Sequence, residues 1–187
     1  MSKTQSGAVE RLISGDELLA MGDIGPCELV DGRIVRMTPT GAKHGTIESR
    51  LTVDLGIFVR HQSVLWVLGG EVGVYTKRNP DRVRAADIAV ASRTRLPGGP
   101  GKGFLEVAPE LVVEILSPED RWQDLRQKIA EYFAIGVDRV WIVEPENRSV
   151  LVFTSPTESR QLTENDDLKG EGPLHGFSIR VAHLFAE

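Results

Sequence analysis

The sequence predicts a mixed α/β fold, an α+β arrangement of helices packed on a mixed sheet, from three observations. Short β-rich runs recur through its middle, two stretches carry apolar residues at helical spacing, and one strand is almost wholly apolar, as a strand covered on both faces must be. In order, Ser14-Gly15-Asp16-Glu17 reads as a capping box and starts a short helix that stops near Gly22. Glu28-Leu29-Val30 and Arg33-Ile34-Val35 flank Asp31-Gly32, a pair that supplies the positive φ of a two-residue hairpin turn. From Ala42 to about His61, Ile47, Leu51, Leu55 and Phe58 fall at helical spacing, with His44 and Glu48 on or beside the same stripe.

Residues 64–68, 71–76 and 86–91 read as three sequential strands, and 111–116 as another. Ser117-Pro118-Glu119-Asp120 then offers an N-cap, an N1 proline and acidic first-turn residues for a helix. Trp122, Leu125, Ile129 and Phe133 would form its apolar face, and Gly136 its end. Residues 140–143 and 150–153 form a further strand pair, and the tail, 177–185, adds a strand and a last helical turn to a sheet edge.

The 187 residues make one domain, 1–187, with 1–13 as a flexible lead-in to a folded unit over 14–186. Apolar residues at 41% and charged residues at 26% exclude disordered and fibrous classes. Cys27 is the single cysteine, which excludes an internal disulfide and a thiolate zinc site and predicts a reducing, cytoplasmic setting. Apolar runs reach only about five residues, against the roughly 20 of a membrane span, and residues 1–9 lack the apolar stretch of a secretory signal. The net charge of −5 argues against binding nucleic acid by bulk charge, although basic residues cluster locally, as in Arg121, Arg126 and Lys128. Phosphate-loop and serine-hydrolase motifs do not occur.

Glu114 is the most informative residue, because it interrupts the apolar run Leu111-Val112-Val113-Glu114-Ile115-Leu116. An ionised carboxylate there costs several kcal/mol unless a cation or hydrogen bonds compensate it. Asp87 heads Asp87-Ile88-Ala89-Val90 on a neighbouring strand, and two carboxylates at short range repel each other and bind a hard divalent cation well. Lys128 follows Asp124 by four residues on the next helix, which can point its ammonium over the sheet end; alone, the pair would be a surface i,i+4 contact. His44, Glu28, Glu48 and Asp124 are supporting candidates, and Arg121 and Arg126 are candidate contacts for flanking phosphates.

These residues carry a family resemblance. Glu28-Leu29-Val30-Asp31-Gly32, His44-Gly45, Ala86-Asp87-Ile88-Ala89, the run Ala108-Pro109-Glu110 through Glu114-Ile115-Leu116-Ser117-Pro118, the Asp124-x-x-x-Lys128 helix and Val140-Trp141-Ile142-Val143-Glu144-Pro145 resemble the Uma2 family of restriction-endonuclease-like proteins, over about 14–186. The resemblance implies the PD-(D/E)XK nuclease core of helix, three strands, helix and strand, here with an N-terminal hairpin and a C-terminal extension. It implies Asp87 as first metal ligand, Glu114 as second, and Lys128 as the family's lysine carried on the helix. The chain departs from the pattern at Ala86, where proline usually precedes the aspartate, and at Leu116, where a standard nuclease of this superfamily has its lysine.

The expectation is a Mg²⁺-dependent endonuclease, with Mn²⁺ as an alternative ion, that hydrolyses DNA with Asp87, Glu114 and Lys128 as catalytic residues and acts as a homodimer. The competing reading is a non-catalytic module on the same fold that binds a protein or DNA partner; the acidic charge favours it and the two carboxylates disfavour it.

Overall fold

The computed structural model describes residues 11–60 and 64–186. Helix α1 (Gly15–Ala20) is capped as expected: Ser14 Oγ accepts from Glu17 N at 3.1 Å and Glu17 Oε2 from Ser14 N at 2.8 Å. The lead-in expected over 1–13 is tied down at its end, where Ile13 N donates to Gly32 O at 2.9 Å; residues 1–10 lie outside the described residues. Strands β1 (Cys27–Val30) and β2 (Arg33–Arg36) form the hairpin, with Asp31 and Gly32 at φ 49° and 75° in its turn. Helix α2 (Ala42–Arg60) buries His44, Ile47, Leu51 and Leu55, the spacing read from the sequence; His61, its expected end, lies outside the described residues.

Two of the expected strands are one. Strand β3 (Leu65–Lys77) runs through Gly69-Gly70 and pairs antiparallel with β4 (Arg82–Ser92), with a bulge in β3 between Gly69 and Val72. Gly69 lies opposite Ile88 and Val72 opposite Ala86, so Gly70 and Glu71 together face Asp87. The other edge of β4 is shared. Strand β1 pairs with it at Val83, and β5 (Leu111–Ile115) at Ile88, Ala89 and Val90, which leaves an interval around Ala85. Gly73, opposite Ala85, accepts from Leu105 N at 2.8 Å on the side away from β4, so Ala85 turns its own backbone groups toward that interval.

The helix after β5 begins later than its N-cap signal predicts. Ser117 to Asp120 form a turn, in which Ser117 N donates to Asp120 Oδ2 at 2.7 Å and Asp120 N to Ser117 O at 3.0 Å. Helix α3 (Trp122–Ala134) follows from an Arg121 without a side-chain cap. Its exposed first turn leaves Trp122 43% accessible, so the buried stripe is Leu125, Ile129 and Tyr132, and Phe133 is half-buried. Gly136 ends it at φ 97°, and β6 (Arg139–Glu144) returns parallel to β5.

Strand β7 (Ser149–Ser155) pairs with β6, and the polar β8 (Glu158–Leu162), which lacks a strand-like apolar pattern, forms the far edge. The sheet order is β2-β1-β4-β5-β6-β7-β8, with β3 on β4. The tail does not extend this sheet. Strands β9 (Asp167–Lys169) and β10 (Ser178–Arg180) pair with each other, and α4 (Val181–Leu184) follows. Leu168, Val181 and Leu184 instead join Leu51 and Leu55 of α2 on one face of the sheet, against Val113 and Trp141; α3 covers the other face, against Val112, Val140 and Ile142. A side chain fully removed from water at this second interface is worth several kcal/mol. Ile129→Ala should therefore lower stability by about 3 kcal/mol and Tm by roughly 6 to 12 °C, while Trp122→Ala stays within about 0.5 kcal/mol; thermal melts check both.

Candidate active site

Alternation along β5 sends Leu111, Val113 and Ile115 toward α2 and Val112 and Glu114 toward α3. Glu114 thus enters the apolar α3 interface, and two α3 residues one turn apart meet it there. Lys128 Nζ donates to Glu114 Oε2 at 2.8 Å, and Tyr132 Oη donates to Glu114 Oε1 at 2.6 Å. Lys128 also reaches Glu28 Oε1 at 3.1 Å and donates to Ala85 O at 3.2 Å, so its three N–H groups all have protein acceptors. Asp124 sits on the exposed side of α3, and Lys128 turns inward from the surface pair that the i,i+4 spacing would otherwise make.

Glu28, which a hairpin opening would normally leave in water, is buried. Its Oε1 accepts from Ala85 N at 3.1 Å and its Oε2 from Arg84 at 2.7 Å. Arg84 in turn donates to both oxygens of Glu131, at 2.7 and 2.9 Å, and Arg82 also bonds Glu131. A chain of alternating charges therefore runs from Arg82 through Glu131, Arg84, Glu28 and Lys128 to Glu114.

Asp87 lies beside this chain. Its Oδ2 accepts from Ile115 N at 2.6 Å and stands 3.3 Å from His44 Nε2. Helix α2 presents His44 and, one turn on, Glu48, whose Oε1 accepts from Gly70 N at 3.0 Å. His44, Glu48 and Asp87 can each direct one ligand atom to a common point, these atoms lying within 4.8 Å of one another. His44, Asp87, Glu114 and Lys128 line one cleft of about 320 Å³, together with Glu71. Arg121 lines a smaller hollow next to Glu114, whereas Arg126 is on the exposed side of α3.

Burial pushes the Glu114 carboxyl up to about 7, with Asp87 adding to the effect against the pull of Lys128 and Tyr132. Burial opposes the Lys128 charge, but Glu114 and Glu28 outweigh it and hold the ammonium form beyond its ordinary range. Burial likewise works against Glu28, and Lys128 and Arg84 overcome it, keeping that carboxyl below the usual range. Burial lowers the affinity of His44 for a proton, yet Asp87 more than restores it and raises the imidazole pKa. Glu71 is raised by burial and by the charges of Asp87 and Glu48.

The structure thus brings Asp87, Glu114, Lys128, His44, Glu28 and Glu48 together; Asp124, exposed like Arg121, lines the smaller hollow beside Glu114 with it, and Arg126 stays on the surface. Reading the sequence missed Glu71, Arg84, Glu131 and Tyr132. Glu71 takes the left-handed region, φ 59°, in the β3 bulge, and the Gly69-Gly70 pair before it was the available signal. Tyr132 stands four residues after Lys128, so the spacing that selected Lys128 selects it too.

The raised Glu114 pKa fixes the sign of a pH effect. A carboxyl that holds its proton more tightly when folded adds stability that is fully present below its unfolded value near 4.5 and lost as pH rises through about 7. In EDTA, Glu114→Gln, which keeps the shape and cannot ionise, should gain on wild type over that window by on the order of 2 kcal/mol. Denaturant midpoints at pH 5 and pH 8 measure this, and a pH-independent difference would refute it.

The comparisons with known proteins agree with this architecture. A crystal structure titled "a putative nuclease belonging to DUF820 from Anabaena variabilis ATCC 29413" is similar, with a TM-score of 0.76 at 23% identity over 92% of this chain and 97% of that chain. The likeness shows a shared mixed α+β fold. A search of curated proteins gives no match. The family model Uma2, described as "Putative restriction endonuclease", matches residues 16–182, and the chain belongs to the Uma2 family.

Proposed function

We propose that the cleft is the active site of a metal-dependent endonuclease that hydrolyses phosphodiester bonds of DNA, with Asp87 and Glu114 holding the ion and Lys128 as the partner cation. One observation carries this reading. Asp87 of β4, Glu114 of β5 and Lys128 of α3, far apart in the chain, line one solvent-open cleft with two carboxylates and one ammonium. The donor set fits a hard divalent cation, Mg²⁺ or Mn²⁺. Among the described residues both Asp87 contacts fall on Oδ2, and each Glu114 oxygen accepts one hydrogen bond where it has room for two. When bound, such an ion acidifies a coordinated water and withdraws charge from a phosphoryl oxygen.

The chain's own groups do the rest. Ile115 N fixes Asp87, and Tyr132 and Lys128 fix the two oxygens of Glu114, so both carboxylates are oriented before substrate arrives. Lys128 can meet a phosphate oxygen by giving up Ala85 O, the longest of its three contacts at 3.2 Å, while Glu28 and Glu114 keep it in place. Arg121, at the mouth of the hollow beside Glu114, meets a flanking phosphate, and Arg126 a more distant one. Cutting both strands of a duplex calls for two such clefts, which a two-fold dimer supplies. The lone Cys27, a free thiol, suits a reducing cytoplasm. Among the described residues no helix is long and apolar enough to cross a membrane.

Asp87→Asn, Glu114→Gln and Lys128→Met should each lower cleavage of a plasmid and of branched or single-stranded DNA by at least about a hundredfold, the scale of a single electrostatic stabiliser. Arg126→Ala should weaken DNA binding only slightly. Wild-type protein that cuts none of these substrates in Mg²⁺ or Mn²⁺, yet binds a partner, would establish the non-catalytic module in place of the nuclease.

A further inference from the structure

The ion that Asp87 holds has two more donors within reach, and they come from α2. Spacing of i,i+4 puts His44 and Glu48 on the same side of the helix, one turn apart, facing the β4 strand that carries Asp87. The bulge in β3 opposite Asp87 holds the glutamate there through Gly70 N. Each of the three keeps an uncommitted atom. Among the described residues Asp87 Oδ1 and Glu48 Oε2 accept no hydrogen bond, and His44, 6% exposed, has a ring Nδ1 with no partner and an Nε2 whose neighbour is Asp87. The ring is compensated on one side by Asp87 and the Ile115 backbone, but its buried Nδ1 lacks the partner that a buried polar atom normally finds.

We infer that His44, Glu48 and Asp87 form a mixed nitrogen and oxygen metal site, and that the imidazole makes the cleft select a first-row transition ion of the Mn²⁺ class over Mg²⁺. The inference deepens the nuclease reading and rests on its premise that the cleft holds a divalent cation. Mg²⁺ takes oxygen donors, keeps several of its waters and gains little from a ring nitrogen. Affinity for such a mixed site rises through the first row from Mn²⁺ upward, so Mn²⁺ against Mg²⁺ is the weakest preference that an imidazole ligand would give. Ligand atoms within 4.8 Å of one another need only a rotamer-scale movement to close on a common ion about 2.1 Å from each. Glu114, whose charge Lys128 partly offsets, lines the same cleft and remains a carboxylate ligand beside Asp87.

The test uses metal-stripped full-length protein without DNA. Calorimetric titration with Mn²⁺ and with Mg²⁺ should give a wild-type preference for Mn²⁺ of about tenfold or more. His44→Gln should weaken Mn²⁺ by about tenfold to a hundredfold and leave Mg²⁺ within about threefold, and Glu48→Gln should weaken both ions. Electron spin-echo spectra of Mn²⁺ bound to wild type should carry nitrogen modulation from the imidazole. That measurement requires no variant to fold. Wild-type Mn²⁺ spectra without nitrogen modulation, or an unchanged Mn²⁺ affinity in a folded His44→Gln, would overturn the site and leave His44 as an ion-pair partner of Asp87. DNA cleavage scored on the same preparations separates the two proposals. Nitrogen-coordinated Mn²⁺ in a protein that cuts nothing keeps the site and defeats the nuclease reading, and cleavage without nitrogen coordination does the reverse.

Discussion

A break in the pairing of one strand edge, at Ala85, ties the sheet to the cleft. Strand β1 leaves β4 at Val83 and β5 joins it at Ile88, so the Ala85 N–H and C=O face an interval that no strand fills. Leaving such buried groups unpaired costs about 1 to 3 kcal/mol each. Glu28 accepts from the N–H, and Lys128 donates to the C=O. Two ionised side chains are thus committed to closing a sheet, and the ion pair between them follows from the geometry, since both must reach one residue's backbone. The cleft opens where β1 and β5 diverge, for the same reason.

Having entered the interior, those charges need further partners, and the alternating series supplies them. Glu28 is shared by Arg84 and Lys128, Arg84 by Glu28 and Glu131, and Lys128 by Glu28 and Glu114. Buried ion pairs of this kind add little net stability over apolar packing, yet removing one member strands a charge at a cost of several kcal/mol. On the proposed reading their value is orientation. Glu114 would be a poor ligand if free to rotate, and Lys128 and Tyr132 hold one oxygen each. The cost appears in Glu114 itself, whose proton affinity rises because burial outweighs the pull of a cation 2.8 Å away.

How much of this was legible in the sequence depended on whether a signal was local. The capping box at Ser14, the Asp31-Gly32 turn and the α2 stripe are fixed by neighbours within a few residues, and they appear as read. Glu114 stood out because an acid in an apolar run conflicts with its surroundings. The start of α3 was misplaced because Ser117 to Asp120 satisfy their own backbone in a turn, using the same residue types that would cap a helix. Residues 64–68 and 71–76 looked like separate strands because a bulge bearing Gly-Gly resembles a loop in one dimension. Burial of Glu28 and the roles of Arg84 and Glu131 had no local trace. They arise from the unpaired Ala85 backbone, which depends on which strands lie beside β4.

The charge of the cleft bears on how a polyanion could enter it. Glu71, Asp87, Glu114, Glu119 and Asp120 all line it, against Lys128 and Arg36, and Lys128 is already engaged by two carboxylates. The whole chain, cleft included, carries a net charge of −5, so its long-range field does not draw a phosphate backbone inward. On the proposed reading, a bound cation is therefore a condition of substrate binding as well as of chemistry: it reverses the local sign at the point where the phosphate must sit. An acidic surface then has a use. On that reading it would keep the metal-free protein from engaging nucleic acid, and would leave the affinity for DNA set by a few contacts beside the cleft, such as Arg121, in place of a broad basic face.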